Sequence, residues 1–65
     1  MSFSDNLKAL RKVQNIDQQA LAQSLSVSSK TISHWETAYT EPSINQLIAI
    51  ADFFDVTLDE LVDRT

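Results

Sequence analysis

The chain contains no glycine and no cysteine, and Pro42 is its only proline. Without cysteine, disulfides and thiolate zinc sites are excluded. A single histidine, His34, cannot build a multi-histidine metal site within one chain. The lack of glycine and the one proline point to a compact helical chain with few strained turns. No apolar run approaches the roughly 20 residues of a membrane span. Nor does the chain open with a positive segment followed by an apolar one, as a signal peptide would. A cytoplasmic protein with no membrane partner is expected.

Basic residues are also scarce, at 5 against 9 acidic ones, for a net charge of −4 over 65 residues. A chain of that length is one small domain, residues 1–65, near the lower limit for an unassisted core. The charge is unevenly spread. Residues 1–40 hold Lys8, Arg11, Lys12 and Lys30 against Asp5, Asp17 and Glu36, a balance of +1. Residues 41–65 hold Arg64 against six acidic residues, a balance of −5. A basic face is compatible with this, but a strong electrostatic grip on nucleic acid is not.

The stretch that is most informative is Gln18–Glu36, QQALAQSLSVSSKTISHWE. Leu21, Ala22 and Leu25 share one helix face, because residues three and four apart are neighbours there. Ile32 and Trp35 do the same on a second helix. Between them, Val27 plugs the corner and Ser28 is a good N-cap. Ser26 must take a left-handed conformation, at a cost of roughly 1 kcal/mol relative to glycine. Two short helices on such a corner read as a helix-turn-helix over about residues 18–36. Small Ala22 lets the second helix cross closely over the first.

The rest is helical too. Ser2 with Asp5 resembles a capping box, and Phe3, Leu7, Leu10 and Val13 form the stripe of a helix from about Ser4 to Val13. Ile16 tucks inward from the connection, and Asp17 caps the next helix while placing its charge at the positive end of the dipole. Thr37 to Pro42 is a loop. Ser43 and Gln46 form a capping box for a fourth helix, whose broad apolar face (Ile44, Leu47, Ile48, Ile50, Ala51, Phe54) makes it the most buried one expected. Thr57 and Glu60 form another box and start a fifth helix with Leu58, Leu61 and Val62. Residues 63–65 should fray. There is no strand signal, so the fold class is all-α.

With that corner and three further helices, the chain resembles the Cro/C1-type (XRE-like) helix-turn-helix family from Phe3 to Val62. The resemblance is carried by LKALRK, by Gln18 to Leu25, by VSSKTISHWE, by EPS after the loop, and by ADFFDVTLDEL. It implies a compact five-helix, lambda-repressor-like DNA-binding domain, common in phage and bacterial repressors. The length is that of a short Cro-like or repressor-modulator protein. Two positions depart from the pattern: family members often have glycine at Ser26 and Asn-Gly at Thr37-Ala38.

The resemblance further implies that the third helix enters the major groove of double-stranded operator DNA, with Ser29, Lys30, Ser33 and His34 facing the bases. Phosphate contacts would come from Gln18, Gln23, Thr37, Tyr39 and Thr40. Arg11 would meet Glu36 in a structural ion pair, the alternative being a phosphate contact by Arg11. A homodimer on half-sites roughly 34 Å apart is expected. Bland readings stand beside these: Lys30 and His34 as plain surface residues, Trp35 as core or partner surface. Phe53 either caps the core edge or lies in a protein interface. The acidic last third, Asp59 and Glu60 included, is a solvated face or attracts a basic partner. A protein-binding modulator acting on a second transcription regulator is the rival function. No catalytic constellation, metal cluster or cofactor motif is present, so an enzyme is not expected.

Overall fold

The computed structural model describes residues 2–62, so the end expected to fray lies outside it. Five helices follow in order: α1 (Phe3–Val13), α2 (Gln18–Leu25), α3 (Ser29–Glu36), α4 (Ile44–Phe54) and α5 (Leu58–Val62). Among the described residues there is no strand. The fold is that of the lambda-repressor-like helix-turn-helix domains.

Each helix commits one fully buried side chain to the centre: Leu7, Leu21, Ile32, Ile50 and Leu61. Burying such a side chain is worth about 1.5–3 kcal/mol. Ala22 and Ala51 are 2% and 5% exposed and lie in the same cluster, where their small size lets neighbouring helices close in. Trp35 is core, at 2% exposed, and Phe54 stands beside it in the cluster at 5%. α3 is central: it packs on both α2 and α1, while α5 closes the far side against α1 and α4. Asn6 adds a polar tie that the sequence reading missed, its Nδ2 donating to the Leu61 carbonyl at 3.0 Å.

The helix starts follow the side chains that can satisfy free amides. Ser2, Asp17, Ser28 and Ser43 each accept from the amide three residues on. The box at Ser43 and Gln46 is reciprocal, with both hydrogen bonds formed. So is the one at Thr57 and Glu60. At Ser2 only the half that accepts from the Asp5 amide is described. α1 begins one residue earlier than the spacing predicts, at Phe3.

Two expectations need correction. α4 is not buried on a broad face: Ile44 is 73% and Ile48 43% exposed, one turn apart. Only Ile50, Ala51 and Phe54 reach the core, because α4 is flanked on one side alone. Val13, 82% exposed, likewise lies off the α1 stripe. Nor are strained turns few. Asn15, Ser26, Ala38 and Asp55 all have φ between 57° and 62°. Lack of glycine did not remove left-handed turns; it put a Cβ on each of them.

Those four turns share one construction. In each, the left-handed residue's amide bonds three residues back, and the next residue's amide reaches five back: Ile16 to Arg11, Val27 to Ala22, Tyr39 to His34, and Val56 to Ala51. This is the Schellman ending, which satisfies the last carbonyls of a helix.

Candidate nucleic-acid interface

α3 has two faces. Ile32, Trp35 and Glu36 are buried, whereas Ser29 and Lys30 are exposed and Ser33 and His34 are partly so. The second group recurs at spacings of three and four, and therefore forms one stripe. The Ser28 hydroxyl accepts from the Thr31 amide at 3.1 Å and shares a 2.9 Å contact with the Thr31 hydroxyl. That leaves the first amides of α3, beside Ser29 and Lys30, pointing outward from a helix N-terminus.

The corner holding α3 against α2 is short and left-handed. Ser26 has φ 59° and ψ 40°, and Val27 is partly buried against the core. At the other end of α3, the Thr37 hydroxyl donates back to the Ser33 carbonyl at 3.0 Å. Its donor is therefore spent within the helix end, and Thr37 reaches outward only as an acceptor. Ala38 then turns left-handed, and Tyr39, 74% exposed, folds back so that its ring lies 4.7 Å from that of His34. Thr40 is exposed next to it. Gln23 is exposed on α2.

The stripe is anchored from beneath by one charged cluster. Arg11 Nε donates to Glu36 Oε2 at 2.6 Å and its Nη2 to Glu36 Oε1 at 3.1 Å. Arg11 Nη1 donates to the Ile16 carbonyl at 3.0 Å, and Gln18 Nε2 to Glu36 Oε1 at 3.0 Å. Such a two-pronged geometry suits guanidinium and carboxylate. Glu36 is only 4% exposed. Burial pushes its carboxyl up, but the hydrogen bonds from Arg11 and Gln18 outweigh this and hold it below the usual glutamate range. The same hydrogen bond to Glu36 raises the Arg11 guanidinium further. The cluster ties α1, α2 and α3 together, so α3 cannot rotate without breaking it. Gln18 has one amide hydrogen committed here, and its backbone amide, first in α2, has no intrahelical partner.

The residues named for protein contact lie elsewhere. Phe53 is 38% exposed and meets Phe54 edge-on, with ring centres 5.0 Å apart. Asp59 and Glu60 stand in the first turn of α5. Glu60 holds the Thr57 amide, which together with the Thr57 hydroxyl lowers its pKa.

A helix-turn-helix family model matches residues 7–61. The chain belongs to the helix-turn-helix family. It is of the Cro/C1 type. It is 42% identical over 62 residues to the HTH-type transcriptional activator BcrR of Enterococcus faecalis, covering 95% of this chain and 30% of that protein. It is 40% identical over 60 residues to the HTH-type transcriptional regulator AnsR of Bacillus subtilis, covering 92% of this chain and 52% of the relative. The chain thus spans half or less of these two relatives. Among solved structures, the P22 c2 repressor in complex with a synthetic operator overlays at a TM-score of 0.92 and 31% identity, covering 100% of this chain and 98% of that one. Among the described residues no helix is long and apolar enough to cross a membrane.

Proposed function

We propose that this helix-turn-helix chain binds operator DNA in a sequence-specific way and regulates transcription, with α3 in the major groove. The observation that carries the reading is the division of α3. Its inner face supplies Ile32, Trp35 and Glu36 to the core and the ion pair, while its outer stripe of Ser29, Lys30, Ser33 and His34 has no such duty. A helix is about 10–12 Å across, close to the roughly 12 Å width of the groove. Lys30 donates to guanine O6 or N7, and Ser29, Ser33 and His34 meet neighbouring base edges. Gln18, Gln23, Tyr39 and Thr40, with Thr37 as the weakest member, hold the phosphates on either side. The likeness to P22 c2 repressor over the full length supports the same reading. Two copies on half-sites about 34 Å apart would double the contact. We read the chain as a binding module and not an enzyme, working in the cytoplasm.

The test is selection of duplexes from a random-sequence DNA pool by the purified chain, followed by titration of the winners. A single enriched motif is expected, and Lys30→Ala with His34→Ala should weaken binding to it at least tenfold with an unchanged melting curve. No enrichment would sink the reading. A second reading, complexation with another regulator, is favoured by the exposed Ile44 and Ile48 and by Phe53 near the acidic start of α5. It expects no enrichment by the chain alone, but an altered footprint when a second regulator is added, lost in Phe53→Ser or on charge reversal at Asp59 and Glu60.

A further inference from the structure

We infer that Tyr39 is a positioning residue for His34, and that the two rings together set sequence preference at one base position. The inference rests on the DNA-binding reading above. Its origin is a contrast between four turns of identical hydrogen-bond pattern. After the left-handed residue, Ile16, Val27 and Val56 each pack partly buried against the core. At two of those turns the residue five back is a buried alanine, Ala22 or Ala51, so the chain folds inward over a small side chain. Tyr39 alone ends up 74% exposed. The residue five before it is His34, on the outer stripe of α3.

The turn therefore closes on the interface and not on the core. The Tyr39 amide donates to the His34 carbonyl at 2.9 Å, and the rings tilt at 55° with centres 4.7 Å apart. Aromatic pairs attract in this tilted range. A lone histidine on a helix surface samples several rotamers, whereas one packed against a neighbouring ring is ordered before DNA arrives. Ordering a side chain in advance is worth about three- to tenfold in the interaction it makes. The gain is specific to the base edge that the imidazole meets, because only a fixed ring can reject a misplaced donor or acceptor. The phenol hydroxyl, at the far end of the Tyr39 ring, has no described intramolecular partner and stays available for a phosphate oxygen.

The test uses the full chain. In the free protein, the His34 ring-proton resonances should be displaced by the Tyr39 ring current. The displacement should persist in Tyr39→Phe and vanish in Tyr39→Ala, with the melting curve unchanged because Tyr39 is exposed. Duplexes selected from a random-sequence pool then serve as probes, together with their single-base variants. The position read by His34 is the one whose preference disappears in His34→Ala. Tyr39→Ala should reduce discrimination there about three- to tenfold, and Tyr39→Phe should keep it. In the His34→Ala background, Tyr39→Ala should change discrimination nowhere, as a double-mutant cycle requires of a coupled pair. Equal weakening on every duplex would overturn the inference and leave Tyr39 a phosphate anchor alone. Undisplaced His34 resonances in the wild type would overturn it as well. If no motif is selected, or if His34→Ala alters no position, it is the DNA reading that fails, and the inference falls with it; the ring-current result tells the two failures apart.

Discussion

At the scale of single residues, Glu36 matters most. It is a buried carboxylate held by three hydrogen bonds from Arg11 and Gln18. Removing one member of a buried pair leaves an uncompensated charge and costs about 3–5 kcal/mol. A chain of 65 residues has little to spare. Glu36→Ala should therefore lower the melting temperature by more than about 10 °C, or leave the chain unfolded at room temperature, as read by circular dichroism. Arg11→Met combined with Glu36→Leu should recover a large part of that loss, since an apolar pair of similar volume often substitutes for a buried ionic one. The pair also sets a pH dependence. The carboxyl of Glu36 titrates lower in the folded chain than in the unfolded one. Its stabilising contribution is thus full above the ordinary glutamate range and is lost as pH falls through the lowered folded value. Urea titrations followed by Trp35 fluorescence should show stability dropping on acidification. In the Arg11→Met, Glu36→Leu variant that acid slope should be shallower.

At the scale of the element, the four left-handed turns decide how the helices are joined. Asn15 and Asp55 tolerate this backbone better than most residues, since their short polar side chains bond locally. Ser26 and Ala38 do not have that compensation to the same degree, and a Cβ in the left-handed region costs roughly 1–2 kcal/mol. Ser26→Gly and Ala38→Gly should each stabilise the chain by about 1 kcal/mol, raising the melting temperature by about 4–8 °C in a domain of this size. Asn15→Gly and Asp55→Gly should do less. A fall in stability for Ala38→Gly would mean that unfolded-chain entropy outweighs the strain. The caps belong to the same scale. Each accepts a hydrogen bond from an otherwise orphaned amide, so Ser28→Ala at the start of α3 should cost about 0.5–2 kcal/mol.

At the scale of the whole molecule, charge limits what the chain can do alone. Of its 5 basic residues, Arg11 is committed to Glu36. If all of the remaining four neutralised phosphates, the slope of log affinity against log salt would not exceed about −3.6 per copy. A measured slope steeper than this for one copy per duplex would demand cations from a second chain. A shallow slope with clear sequence preference is expected, because hydrogen bonds from Ser29, Ser33, His34 and the helix amides do not depend on counterion release. The exposed Ile44 and Ile48 lie on the same small body, and their apolar surface is free for another protein.

The sequence by itself determined the local choices. Helix starts were legible because Ser, Thr and Asp caps act over three residues, and the core positions of α2 and α3 were legible because helical periodicity is local. The resemblance carried the order of the helices and the face of α3 that looks outward. The tertiary structure alone decided what depends on residues far apart. Whether Ile44 and Ile48 are covered depends on how many neighbours α4 has, which its own apolar pattern does not state. Gln18 joins the Arg11–Glu36 cluster, and so shares a side chain between core and interface, only because α1, α2 and α3 converge there. The aromatic pair of His34 and Tyr39 arises from a left-handed turn at Ala38, a residue whose own preference runs the other way. Packing and hydrogen bonds elsewhere impose that turn, and no local signal in a glycine-free chain announces it.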